Sequence, residues 1–183
     1  MHRSIVLMGS LTVLMLLLAG SQMEVHMSFQ LTSSNFQHQG EIPKLYTCDG
    51  KDVSPALSWT GPPAGTKSYV LIVDDPDAPD PKAPKMTWVH WVLYDIPAGV
   101  TSLAEGISSE SLSGGTLEGL NDWRRTGYRG PCPPIGRHRY FFKFYALDTV
   151  LPDLHRPTKA ALEKAMTDHI LEKAELVGTY QRH

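Results

Sequence analysis

Three short segments of the chain each combine carboxylate, imidazole or hydroxyl groups with a neighbouring apolar run. They read DDPDAP at Asp74–Pro79, WVH at Trp88–His90 and GRHRY at Gly136–Tyr140. Each of these polar clusters also borders a proline-stiffened loop. Rigid strand ends are good supports for a binding or catalytic site, so we predict that side chains from these segments converge.

The residues expected to converge are Asp75 or Asp77, His90 and His138. Two imidazoles can donate hydrogen bonds to an anionic ligand, and a carboxylate can fix the tautomer of a histidine through its other ring nitrogen. Two histidines and a carboxylate are also a ligand set for iron or zinc. The residue types alone therefore leave anion binding and metal-dependent chemistry open.

Each of these residues also has a purely structural interpretation. An aspartate before proline commonly begins a turn, so Asp75 and Asp77 could act only as loop caps. A histidine in a strand is most often a core or surface residue, and Cys132 between prolines could be a small buried hydrophobe. The sequence contains no nucleophile elbow, HExxH motif or phosphate-cradling glycine loop.

The apolar pattern predicts strands beside the polar segments. Strands are expected at 28–33, 68–74, 87–96, 139–147 and 175–181. A helix is predicted over Thr158–Leu171, with Thr158 as its N-cap and with His169 on its buried face. Separate strands, long Pro/Gly-rich loops and one late helix together indicate a mainly β fold, a sandwich with a small helical addition.

Composition is that of an ordinary globular domain. The 183 residues are 42% hydrophobic and 20% charged, which excludes a mostly disordered chain. The formal net charge is -2, so the sequence has no basic footprint for nucleic acid. Fifteen glycines and 14 prolines favour turns and short strands over a helical bundle.

Residues 1–21 have the pattern of a secretory signal peptide. Arg3 forms a short basic start, and the uncharged run Ile5–Leu18 is too short for a comfortable transmembrane span. Ala19 and Ser21 are small residues suited to cleavage after Ser21.

Cleavage at this point would leave a single domain over 22–183, without a stable membrane anchor. We then expect a periplasmic or secreted protein. The alternative is that Met23 or Met27 is the true start and the protein is cytoplasmic.

Five segments closely resemble the phosphatidylethanolamine-binding protein family, in its bacterial and archaeal branch of Raf-kinase-inhibitor-like proteins. They are SPALSW at Ser54–Trp59, DDPDAP at Asp74–Pro79, TWVHWVLYDIP at Thr87–Pro97, YRGPCPPIGRHRYFFKFYALD at Tyr128–Asp148 and AELVGTYQR at Ala174–Arg182. The resemblance extends over about Ser28–Arg182, in the expected order. It implies an antiparallel Greek-key β-sandwich with one or two short peripheral helices and a small anion-binding pocket at one end.

The resemblance also implies which residues form that pocket. Family pocket positions correspond here to Asp75, Trp88, His90, Pro131, Cys132, His138 and Tyr140. Family members bind phosphate, acetate-like anions or phosphoryl head groups there. No catalytic residue, metal or cofactor is implied, so we expect a protein that is not an enzyme.

Two covalent features are expected near this pocket. Cys48 and Cys132 both lie in loops near the pocket end, so a disulfide is an option if the chain is exported; the sequence leaves this open. The proline-rich segment 75–84 must turn sharply beside the pocket, and we predict a cis peptide bond at Ala78–Pro79.

Three functions compete at this point. The first is a binding module for a small anionic or phosphoryl ligand, with a regulatory or inhibitory role. The second is an inhibitor of a protease or kinase that acts through the loop Ala104–Asn121. The third is a hydrolase or metalloenzyme that uses Asp75, His90 and His138. A protein partner and a homodimer are both compatible with the first two.

Overall fold

The computed structural model describes residues 28–182, which form eight β-strands and one short α-helix. The elements are β1 Gln30–Thr32, β2 Leu57–Thr60, β3 Ser68–Asp75, β4 Trp88–Pro97, β5 Ser102–Leu103, β6 Leu117–Glu118, β7 Arg137–Leu147, α1 Lys159–Met166 and β8 Ile170–Gln181. This confirms the predicted mainly β fold class. The predicted signal peptide lies outside the described residues.

The strands form two antiparallel sheets. One sheet has the order β1-β2-β5, and the other has the order β6-β4-β3-β7-β8. Apolar side chains from both sheets meet in one core, where Trp59 of β2 contacts Phe144 of β7 with ring centroids 4.5 Å apart. Aromatic and β-branched side chains suit such a two-layer core because they pack well on pleated surfaces.

The outer face of the larger sheet carries a second, smaller core. Alternate residues of a strand point to opposite faces, so Val70 and Ile72 of β3 lie on the side away from the first core. Helix α1 covers them with Leu162 and Met166, both of which are buried. In the part of the chain that is described, no helix is long and apolar enough to cross a membrane.

The predicted helix Thr158–Leu171 is wrong in its C-terminal part. Thr158 is the N-cap as expected, but α1 ends at Met166 and a 3₁₀ turn leads into β8 at Ile170. His169 is therefore not on a buried helix face: its Nδ1 lies 2.9 Å from a carboxylate oxygen of Asp148 at the surface. Pairing of β8 along the whole of β7 overrides the local helical pattern, because long-range contacts outweigh propensity.

Candidate functional site

A cavity of about 410 Å³ lies at the end of the larger sheet where β3 ends and β4 and β7 begin. These three strands are antiparallel neighbours, so the end of one and the beginnings of the others meet at one edge. The cavity is lined by Asp75, Ala78, Pro79, Met86, Trp88, His90, Trp123, Cys132, Pro133, Pro134, His138 and Tyr140. All but one of the seven pocket residues implied by the family resemblance are in this wall.

A β-bulge in β4 directs His90 into the cavity. Val73 of β3 lies opposite Trp91. The next residue of β3, Asp74, lies opposite Val89, so His90 is an extra residue without a partner in β3. Such an insertion shifts the alternation of side chains. As a result, the residues that line the cavity at the start of β4 lie on the same face of the strand as the core residues that follow the bulge.

Asp75 and His138 form a buried pair in the cavity wall. The His138 ring is fully buried, its Nδ1 lies 2.7 Å from Asp75 Oδ2, and its Nε2 lies 3.0 Å from the backbone carbonyl of Ile135. The other Asp75 oxygen accepts from the Asp77 backbone N–H at 2.8 Å. Both nitrogens of His138 thus face protein oxygens, and only the doubly protonated ring donates to both at once.

The His90 ring has a different pattern of partners. Its Nδ1 donates to the Arg129 carbonyl at 2.6 Å, since a carbonyl oxygen can only accept. Its Nε2 has no partner among the described residues. His90 is 3% exposed, and burial lowers its pKa below the ordinary value. The Arg129 carbonyl and nearby Asp75 act in the opposite direction, but burial is the larger effect. The neutral ring therefore carries a lone pair at Nε2.

Tyr140 contributes a buried hydroxyl that no described protein atom satisfies. The residue is 1% exposed, and its ring lies 5.2 Å from the His90 ring in an edge-to-face arrangement. Burial, followed by the charge of Asp75, raises the pKa of Tyr140, so the hydroxyl keeps its proton. An unpaired buried polar group is costly, by about 1–3 kcal/mol, which makes this hydroxyl a conspicuous candidate to meet a ligand.

Two tryptophans form the aromatic wall. Trp88 and Trp123 meet edge to face with centroids 5.4 Å apart, and Trp123 also contacts the His90 ring at 5.2 Å. The buried amide of Asn121 shapes the loop that carries Trp123, because its Oδ1 accepts from the backbone N–H groups of Trp123 and Arg125. Sequence reasoning missed Trp123, which lies in a loop without a motif or strand pattern.

The rim of the cavity is fixed by a disulfide between Cys48 and Cys132, whose Cα atoms are 5.4 Å apart. Cys132 and the prolines that follow it line the cavity, whereas Pro131 does not. Pro131 is buried, and its carbonyl instead accepts from the Cys48 N–H at 3.1 Å. The predicted cis peptide bond at Ala78–Pro79 is also present, and both of its residues line the cavity.

Asp77 lies beside the cavity without lining it. Its carboxylate forms a bidentate ion pair with Arg139, at 2.9 Å to Nε and 2.6 Å to Nη2. This hydrogen bonding holds the pKa of Asp77 below its usual value. Of the two candidate aspartates, the structure therefore places Asp75 in the cavity wall and Asp77 in a supporting ion pair.

The structure also bears on the metal site that the sequence left open. Across 28–182, no group of three or more histidine, cysteine, aspartate or glutamate side chains is placed to hold a metal ion.

The segment Ala104–Asn121, considered as an inhibitory loop, contains a 3₁₀ turn at Ser109–Ser111 and strand β6, which pairs with β4. Its first part is exposed, and Asn121 at its end is buried in the loop that carries Trp123.

Comparison with known proteins gives consistent results. The family model described as phosphatidylethanolamine-binding protein matches residues 32–181. A UPF0098 protein of Methanothermobacter thermautotrophicus is 47% identical over 153 residues, which cover 83% of this chain and 98% of that protein.

Two solved structures are also similar. A phosphatidylethanolamine-binding protein homologue of Chlamydia trachomatis has 44% identity and a TM-score of 0.78, over 85% of this chain and 99% of that one. Escherichia coli YbcL, described as a member of the mammalian family, has 31% identity and a TM-score of 0.76, with the same coverage.

Proposed function

Because the chain belongs to the phosphatidylethanolamine-binding protein family, we propose that its cavity binds a small anionic or phosphoryl ligand. The observation that carries this proposal is that two polar atoms of the cavity wall, His90 Nε2 and the Tyr140 hydroxyl, have no hydrogen-bond partner among the described residues. Both residues are more than nine-tenths buried. The buried Tyr140 hydroxyl is costly unless something in the cavity pairs with it.

The roles of the two histidines differ in this proposal. His90 has a free ring nitrogen and contacts the ligand. His138 has both nitrogens engaged by Asp75 and Ile135, so it positions the wall and the rim without donating to the ligand. Trp88 and Trp123 supply apolar walls for any methylene groups on the ligand. In this proposal the protein binds its ligand without catalysing a reaction. A regulatory or inhibitory role would depend on whether the cavity is occupied by the ligand.

An anion without a proton of its own requires a protonated His90. Burial lowers the pKa of His90, so binding such an anion takes up a proton. Sulfate keeps a constant charge near neutral pH, and its affinity should rise as the pH falls from about 8 to about 6. Asp75 and His138 are hydrogen-bonded to each other, whereas His90 Nε2 has no partner among the described residues and is free to take up this proton.

Calorimetric titration with sodium phosphate and sodium sulfate tests the proposal. The informative variant is Tyr140→Phe, which removes only the unsatisfied hydroxyl. We expect the affinity for both anions to fall roughly tenfold or more, since one hydrogen bond to a charged ligand is lost. We expect the free energy of unfolding of the ligand-free protein to stay equal or to rise, because the fold gives that hydroxyl no partner.

A purely structural hydroxyl gives the opposite result. The variant would then be less stable, and its affinity would be unchanged. Tyr145→Phe is the matched control, because Tyr145 lies on the outer face of β7 in the second core. Wild-type protein that binds neither anion at any pH between about 6 and 8 contradicts the proposal.

We also propose that the protein is exported to the periplasm or beyond. The disulfide between Cys48 and Cys132 supports this, because structural disulfides persist in oxidising compartments. Mass spectrometry of the protein from fractionated cells should find an N-terminus near Gln22 in the exported fraction. An intact cytosolic chain that begins at Met1, Met23 or Met27 contradicts this proposal.

A further inference from the structure

Two side chains in the cavity wall present hydrogen-bond acceptors. With His90 neutral, its Nε2 is an acceptor, and the carboxylate of Asp75 in the wall can only accept. The buried Tyr140 hydroxyl is a side-chain donor without a partner among the described residues, and the indoles of Trp88 and Trp123 border the same cavity. A ligand made only of acceptor oxygens would therefore meet the lone pairs of His90 and Asp75 with lone pairs of its own.

We infer that the cavity selects an oxyanion that carries its own proton, and so prefers hydrogen phosphate to sulfate and to phosphate diesters. This inference rests on the proposed function of the cavity as an anion site. The P–OH group of hydrogen phosphate donates to His90 Nε2, while an ionised oxygen accepts from the Tyr140 hydroxyl. Both unsatisfied atoms are then paired, and no proton has to be taken from water.

The tautomer that creates this preference is fixed by backbone contacts. His90 Nδ1 donates to the Arg129 carbonyl, and the Arg129 N–H donates in return to the His90 carbonyl at 3.2 Å. His90 is the residue at the bulge of β4, and it both contacts this loop and lines the cavity. The ring cannot turn its N–H toward the ligand without losing a buried hydrogen bond, so Nε2 remains the acceptor while the ring is neutral.

The charged and titratable groups around His90 come from four directions. Those on β3 and β7 and on the neighbouring loops are Asp74, Asp75, His138, Tyr140, Asp52 and Arg129. Most of them are already paired: Asp75 with His138, Asp52 with Arg129, and Asp74 with lysines on the opposite face of the sheet. Burial of the ring is the largest influence and keeps it neutral.

This preference separates three sources of phosphoryl chemistry. Inorganic phosphate keeps at least one proton throughout the neutral range. A phosphate monoester loses its last proton near pH 6, at about the second pKa of a phosphorylated side chain. A phosphate diester, as in a lipid head group, has no P–OH at all. The structure therefore favours free phosphate, or a monoester in mildly acidic solution, over a diester head group.

Competition between two isosteric dianions tests the inference. At about pH 8, hydrogen phosphate and sulfate have the same charge and differ by one proton, and we expect hydrogen phosphate to bind ten- to a hundredfold more tightly by calorimetry. At about pH 5.5 protonation of His90 on binding costs less than at about pH 8, so sulfate binding should strengthen and the ratio of the two affinities should narrow. Dimethyl phosphate, a diester probe, should bind weakly at the higher pH.

His90→Gln gives a second, independent readout. A glutamine amide can present either its oxygen or its nitrogen, so this variant should bind both dianions with similar affinity at about pH 8. His169→Gln, at an exposed surface histidine, should leave the ratio unchanged. If His90→Gln fails to fold, Tyr140→Phe serves instead, because it should weaken both anions equally and preserve their ratio.

The outcomes distinguish the two claims. Equal affinities of wild-type protein for hydrogen phosphate and sulfate at about pH 8 overturn this inference and leave the anion site intact. A wild-type protein that binds none of the probes overturns the proposed function itself. Tighter binding of dimethyl phosphate than of hydrogen phosphate also overturns the inference and points to a head-group ligand.

Discussion

Removal of the disulfide between Cys48 and Cys132 should cost a large part of the stability of this domain. The two cysteines are 84 residues apart in sequence. In the chain-entropy relation, a closed loop of that length restricts the unfolded chain by about 4.5 kcal/mol at 25 °C. With about 2.1 cal/mol/K of unfolding entropy per residue, this corresponds to a fall in melting temperature of roughly 14 °C for a domain of this size.

Denaturant unfolding of wild type and of the double variant Cys48→Ala/Cys132→Ala measures this cost. The variant should lose about 3–5 kcal/mol, and wild type in reducing buffer should lose a similar amount. The variant itself is the control for the reductant, because its stability should not change when reductant is added. The backbone hydrogen bond from Cys48 to Pro131 remains in all cases. A loss below about 1 kcal/mol would refute the loop-closure reasoning.

Three further predictions concern stability. Gly130→Ala should destabilise by about 1–3 kcal/mol, because an added Cβ would lie 2.1 Å from the Tyr46 carbonyl oxygen; Gly99→Ala, with nothing within 4 Å, is the control in thermal unfolding. Asp74→Asn should lower the free energy of unfolding by about 3–5 kcal/mol, because buried Asp74 accepts hydrogen bonds from two lysines. The control is Glu163→Gln, which alters only a 3.7 Å ion pair at the surface and should change that free energy by less than about 0.5 kcal/mol. Because burial lowers the pKa of His90 in the folded state, the neutral ring contributes stability above the ordinary pKa of 6.5, and this stability is lost as the pH falls below that value. The free energy of unfolding in urea should therefore depend less on pH in His90→Gln than in wild type. The same pH dependence in both proteins would contradict the lowered pKa of His90.

The shared location of Asp75, His90 and His138 follows from features that can be read in the sequence. Each residue lies at an end of an apolar, β-branched run, and antiparallel neighbours bring such ends to one edge of a sheet. The roles of the two rings could not be predicted in this way. They depend on the carbonyls of Arg129 and Ile135, which are supplied by loops whose paths are set by tertiary contacts.

Sequence reasoning failed where long-range contacts decide the local structure. The apolar spacing continues the helical pattern beyond Met166, but Ile170 and the residues after it pair with β7 and form β8. Trp123 has no periodic neighbours, and it reaches the cavity only because the Asn121 amide folds its loop. In both cases the signal is an interaction between distant or irregular segments, which a local pattern does not record.

A crystal structure of the protein grown with sodium phosphate near pH 8 tests the central claim most directly. The account predicts a tetrahedral anion in the 410 Å³ cavity, with one oxygen within hydrogen-bonding distance of His90 Nε2 and another within that distance of the Tyr140 hydroxyl. His138 should keep its contacts with Asp75 and Ile135 unchanged. A cavity that holds only water, at a phosphate concentration that saturates the protein in calorimetry, would contradict the account.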